Sequence, residues 1–133
     1  MEPPATAIFE GTCLTIHLIT PQAEEFFATL NPRERRDFRV AATILDSSLC
    51  QGRPPGGRSE RIQGSDVGLF ELRITPPRRR GPKARALYIR EGPCLLVVRG
   101  LRKARRAIPR REIELGDRDA KAYQSRLGGE HGG

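Results

Sequence analysis

Two helix starts set almost back to back constrain this chain more than anything else in it. Thr20-Pro21 and Asn31-Pro32 each put a side-chain cap before a proline at the first helical position, and Glu34 completes a capping box with Asn31. Ala23, Phe26, Phe27 and Leu30 make one apolar stripe, and Phe38, Ala41, Leu45 and Leu49 make the next. With hardly a linker between them, the two helices have to fold as a hairpin, and each stripe needs cover from elsewhere. A sheet is the obvious cover.

The strands for it are legible on both sides of the helices. In residues 13–19, Leu14, Ile16 and Leu18 alternate with Thr15 and His17, the period of a half-buried strand. Residues 51–59 (QGRPPGGRS) form a Pro/Gly breaker that reads as a mobile surface loop. Three short runs follow: residues 69–74 (LFELRI), 84–90 (ARALYIR) and 94–100 (CLLVVRG). A long basic loop, residues 75–83 (TPPRRRGPK), joins the first two at one edge, and Glu91-Gly92-Pro93 makes a tight turn between the others. Pro109 then opens a helix with a narrow stripe of Ile113, Gly116, Ala120, Tyr123 and Leu127.

The expected fold is therefore α+β, in the order β-α-α-β-β-β-α. A small, mostly antiparallel four-stranded sheet carries the helical hairpin on one face and a C-terminal helix. One domain is expected over residues 13–127, between a flexible N-terminus at 1–12 and a disordered tail at 128–133.

Charge narrows the function classes. The net charge is +8, and it is segregated: residues 73–126 hold 17 of the 24 basic residues and 5 of the 16 acidic ones, so that stretch is +12 and the remainder −4. Such a surface repels itself unless a polyanion or an acidic protein compensates it, so a nucleic acid is the natural partner. A solvated basic face that merely keeps the protein dissolved is the plainer alternative, but solubility alone does not call for this asymmetry.

Cys13, Cys50 and Cys94 are odd in number, widely spaced and without a C-x-x-C, which argues against a disulfide framework or a zinc site and for reduced thiols. No export or membrane segment is evident, and a cytoplasmic location is expected. No metal-ligand cluster, phosphate-cradling Gly loop or Ser/His/Asp arrangement stands out, so no cofactor is expected and any reaction is expected to be metal-independent.

Three runs carry a family resemblance. Gly100, Leu101, Arg102 and Lys103, then Pro109, Glu112, Ile113 and Glu114, follow a Gly-aromatic-x-Lys-Lys, spacer, Pro, Glu-Ile-Glu pattern, with Leu for the aromatic and Arg for the first Lys. Residues 68–73 (GLFELR) and 85–88 (RALY) match two further runs in the same order. Together they resemble the HigB branch of the RelE/ParE superfamily of toxins, over about residues 13–127.

The resemblance implies a type II toxin whose endoribonuclease activity cuts mRNA on the ribosome, held in check by a helix-turn-helix-type antitoxin. It points to Arg73, Arg85 and Lys103 as catalytic, with Tyr123 as a phenolic proton donor. Arginine suits that task because its planar fork stays charged and grips phosphate oxygens in pairs. Arg78, Arg79, Arg80, Lys83, Arg102, Arg105 and Arg106 are the expected RNA contacts.

The departures are that neither His17 nor His131 fits an acid/base position used by some relatives, and no matching Asp appears. Two other readings stay open: a ParE-like inhibitor that binds DNA gyrase without catalysis, and a basic nucleic-acid-binding module. For Arg73 alone, pairing with Glu71 or another nearby acid on a sheet face is the ordinary alternative.

Overall fold

The computed structural model describes residues 7–104 and 106–132, and it is an α+β fold. In chain order the elements are β1 (Ala7–Glu10), β2 (Thr15–Leu18), α1 (Pro21–Ala28), α2 (Pro32–Cys50), β3 (Ser59–Arg61), β4 (Phe70–Arg73), β5 (Lys83–Glu91), β6 (Cys94–Lys103) and α3 (Arg110–Gly132). The capping signals act as their chemistry dictates. Thr20 Oγ1 accepts from the Ala23 N–H at 3.0 Å, and Asn31 and Glu34 exchange both bonds of the capping box at 2.8 and 3.0 Å.

The sheet departs from expectation. It has six strands in the order β1-β2-β6-β5-β4-β3, and β2 runs parallel to β6, so it is mixed rather than a four-stranded antiparallel meander. The added strands are the two edges. β1 lies in the stretch expected to be flexible, and β3 is the polar run Ser-Glu-Arg at the end of the expected breaker loop. Edge strands this short are held by backbone pairing more than by burial, so neither leaves a hydrophobic period to read. Strand direction is likewise absent from a two-residue period.

Each face of the sheet buries one helical layer. Phe26, Leu30, Phe38 and Leu45 of the hairpin pack on Ile16, Leu72, Ala86 and Val97. Ala120 and the partly buried Tyr123 of α3 pack on Leu69, Leu87, Ile89, Leu96 and Val98 on the opposite face. Gly100 lets α1 approach β6: a Cβ there would lie 2.1 Å from the Phe26 ring. α3 itself runs to Gly132 rather than stopping at Leu127. Each glycine in that extension costs about 1 kcal/mol relative to alanine, which an already nucleated helix tolerates.

A further correction concerns the end of α2. Cys13 and Cys50, expected as thiols, form a disulfide with their Cα atoms 5.5 Å apart. Sequence spacing hides this because only the folded hairpin brings the end of α2 beside the β1–β2 turn. Cys94 is a free thiol, half-buried against the α3-side core as expected of a small hydrophobe. Among the described residues, no helix is long and apolar enough to cross a membrane.

Candidate functional site

α3 covers only part of its face of the sheet, and past its edge the same face turns from apolar to charged. Pairing sets this up. Arg73 on β4 stands opposite Arg85 on β5, and Lys83 on β5 stands opposite Lys103 on β6. A β-bulge decides which cations reach this face: Leu87 pairs with Arg99 but Tyr88 pairs with Val97, leaving Val98 as an extra residue on β6. Val98 and Arg99 therefore both face α3, Val98 in its core and Arg99 paired with Glu112. Beyond the bulge, Leu101 and Lys103 share that face and Gly100 and Arg102 turn to the other. Without the extra residue Lys103 would point away from Arg73 and Arg85.

The three cations surround one buried carboxylate, Glu71, which is 5% exposed. Arg73 Nε donates to Glu71 Oε1 at 2.8 Å, and Lys103 Nζ donates to Oε2 at 3.3 Å. Arg85 Nε stands 3.7 Å from Oε1, close enough for attraction and too far for a hydrogen bond. Arg73 is further fixed by the Gly57 carbonyl at 3.0 Å and by Glu60 at 2.5 Å. Arg85 Nη1 donates to the carbonyls of Thr75 and Ala84, and Lys103 Nζ to that of Arg106 at 2.6 Å.

Donors outnumber acceptors here. The buried Nε of Arg85 and Nη1 of Arg58 have no hydrogen-bond acceptor among the described residues. Burial pushes the Arg85 guanidinium pKa down, Glu71 pulls it back up, and the charges of Arg73 and Arg58 push it down again. The hydrogen bond to Glu71 instead raises that of Arg73, with burial opposing. Both stay cationic, since guanidinium does not lose its proton in proteins. Glu60 and Glu71 thus face Arg58, Arg73, Arg85 and Lys103, an excess of two positive charges.

The excess opens into a pocket of about 560 Å³ lined, among the described residues, by Arg73, Pro77, Lys83, Arg85, Lys103, Ala104 and Arg106, with no carboxylate among them. A neighbouring pocket of about 330 Å³ shares Arg73, Lys103 and Arg106 and includes Glu60, Glu71, Arg61 and Ile113. The unpaired buried Nε–H of Arg85, in a residue that lines a cavity walled by cations, makes an acceptor site for an anion carrying several oxygens, such as a phosphodiester.

The sequence-derived residues divide cleanly. Arg73, Arg85, Lys103, Lys83 and Arg106 meet at this pocket. Tyr123 does not line it; it packs against the apolar core under α3, with the Arg126 guanidinium 5.9 Å from its ring centroid. Arg102 lies on the opposite face, bonded to Glu34 at 2.9 Å and stacked 5.0 Å over Phe26, where it ties β6 to the hairpin. Arg79 pairs with Asp37 of α2, drawing the basic loop back onto the helices, and Arg78 and Arg80 stay exposed beside Arg33, apart from the pocket. Arg105 lies outside the described residues.

Glu71, Glu60 and Arg58 were not among the expected site residues. Glu71 enters the sequence reading only as an ordinary partner for Arg73, although strand alternation already puts the two on one face, two residues apart. Glu60 and Arg58 sit in or beside a breaker stretch that offers no such period. No protein-family model matches the chain, and no curated protein matches it.

Proposed function

We propose that this chain is a ribonuclease toxin similar to the HigB branch of the RelE/ParE superfamily. It cuts mRNA in the cytoplasm, on the ribosome, without a metal ion, and a helix-turn-helix-type antitoxin restrains it. The observation that carries the reading is the convergence of Arg73, Arg85 and Lys103 from three adjacent strands on Glu71, beside a cation-walled pocket.

These groups supply what attack by an RNA 2′-OH requires. A phosphodiester entering the pocket draws Arg73 and Arg85 onto its non-bridging oxygens, where they offset the charge of the phosphorane. Glu71, on the wall of the adjoining pocket that shares Arg73 and Lys103, is relieved of part of its pairing and accepts the 2′-hydroxyl proton as the 2′-oxygen bonds to phosphorus. The bond from phosphorus to the 5′-oxygen breaks, Lys103 protonates that oxygen, and the products are a 2′,3′-cyclic phosphate and a 5′-hydroxyl. Lys83 and Arg106 hold the flanking backbone.

Inducible expression in bacteria with mapping of RNA 5′ ends tests the reading: growth should arrest and new ends should appear within coding sequences. Normal growth with accumulated protein and unchanged ends would contradict it. Because Glu71 already satisfies Arg73 and Lys103, binding without cleavage is the second reading. RNA retention with no new ends would select it.

A further inference from the structure

The disulfide sits at the root of the segment that builds one wall of the charged site. Cys50 is the last residue of α2, and the chain leaving it carries the Gly57 carbonyl and Glu60 to Arg73, the Arg58 charge toward Arg85, and Ser59 to the buried Tyr88 hydroxyl at 2.5 Å. Cys13 lies across from it in the turn between β1 and β2. Both partners are reachable from solvent, Cys50 being exposed and Cys13 half-buried.

A second contact holds the same two segments together independently. Asp46, one turn before Cys50, accepts the backbone N–H groups of Thr12, Cys13 and Leu14 at 3.1, 2.7 and 3.0 Å. Gly11 makes room for this, since a Cβ there would lie 2.4 Å from the Asp46 carboxylate. The clamp ends at Asp46, so without the bond it still holds the body of α2 beside Cys13 while the chain beyond Cys50 loses its anchor, and the thiol pair can close again without a long search.

We infer that Cys13 and Cys50 form a reversible redox site whose closure fixes residues 51–61, and with them Arg58 and Arg73, in the anion-binding arrangement. This rests on the anion reading of the pocket and not on cleavage. The exchange is ordinary thiol chemistry with a dithiol as reductant. Its thiolate attacks Cys50 Sγ, the bond to Cys13 breaks, and Cys13 leaves as a thiolate that takes up a proton. The second reductant thiol then displaces Cys50 and departs as a cyclic disulfide, so two electrons and two protons pass to the protein.

Limited trypsin digestion after Arg58 and Arg61, with and without dithiothreitol, tests the coupling. Reduction should raise cleavage there by on the order of tenfold, as a locally opened segment does. It should also weaken binding of polyuridylate by about threefold or more, as preorganised guanidinium contacts are lost. A Cys13→Ser/Cys50→Ser variant should digest at the reduced rate in either condition, and Cys94→Ser should respond like the parent. Thiol titration should find one reactive cysteine without reductant and three with it.

Three titratable thiols under oxidised glutathione, or equal digestion in both states, would overturn the inference. Faster digestion with unchanged polyuridylate affinity would overturn its link to the pocket. If polyuridylate binds in neither state the anion reading fails, while the digestion still decides the redox coupling.

Discussion

Replacing Glu71 with Gln isolates the charge at the centre of the site while keeping its shape. The carboxylate lies 3.3 Å from Lys103 Nζ and 3.7 Å from Arg85 Nε, and the side chains of Glu71, Lys103 and Arg85 are only 6%, 8% and 6% exposed. Losing one partner of a buried pair costs about 3–5 kcal/mol, because the remaining charge stays desolvated and uncompensated. Arg73, at 30% side-chain exposure, is screened and adds little to that figure. Glu71→Gln should therefore lose about 3 kcal/mol, or roughly 10 °C in Tm for a domain of this size. The same change leaves more cation for a bound anion to neutralise, so exchanging chloride for phosphate at constant ionic strength should raise the Tm of the variant more than that of the parent. Thermal unfolding in the two buffers measures both effects. Unchanged stability, or an equal response to phosphate, would refute the idea that Glu71 stands in a site with excess positive charge.

Three further outcomes follow from the same geometry. Arg85→Ala and Lys103→Ala should lower RNA cleavage by on the order of 10² or more, whereas Arg78→Ala and Arg80→Ala should reduce only the salt dependence of RNA binding; single-turnover cleavage and salt titration separate the groups. Gly100→Ala should cost about 1–3 kcal/mol in urea unfolding, because its methyl meets the Phe26 ring that seats α1. The backbone N–H of Cys13, with those of Thr12 and Leu14, holds the Asp46 pKa below its ordinary 3.8 against a smaller effect of desolvation. A carboxyl lowered on folding stabilises above its unfolded pKa and loses that contribution as pH falls through the folded one, so Asp46→Asn should destabilise at neutral pH and match the parent under strong acid.

The parts legible from sequence were those written in local chemistry. Caps at Thr20 and Asn31 and the stripes behind them specify the hairpin, and short apolar runs at residues 84–90 and 94–100, separated by the turn Glu91-Gly92-Pro93, specify the central strands. Arg73 and Arg85, on two neighbouring runs, do stand opposite each other, whereas Lys103 joins them at Glu71 only because of the bulge at Val98, which no residue pattern announces. What stayed hidden depends on contacts between distant segments: the parallel pairing of β2 with β6, the edge strands, the disulfide, and the turn of Arg102 and Arg79 toward acids on the helices. Where Tyr123 lies was hidden for a related reason, since one tyrosine on a narrow stripe serves equally well as packing under α3, which is where the fold puts it.

Whether the cations around Glu71 cut RNA or only hold it is tested most directly by the chemistry of the cut ends. Purified protein should be added to ribosomes carrying a defined message, and the fragments analysed by mass spectrometry. Cleavage by the proposed route leaves 2′,3′-cyclic phosphate and 5′-hydroxyl ends, lost in Lys103→Ala and Glu71→Gln. Intact message, or fragments ending in 3′-hydroxyl and 5′-phosphate, would contradict it.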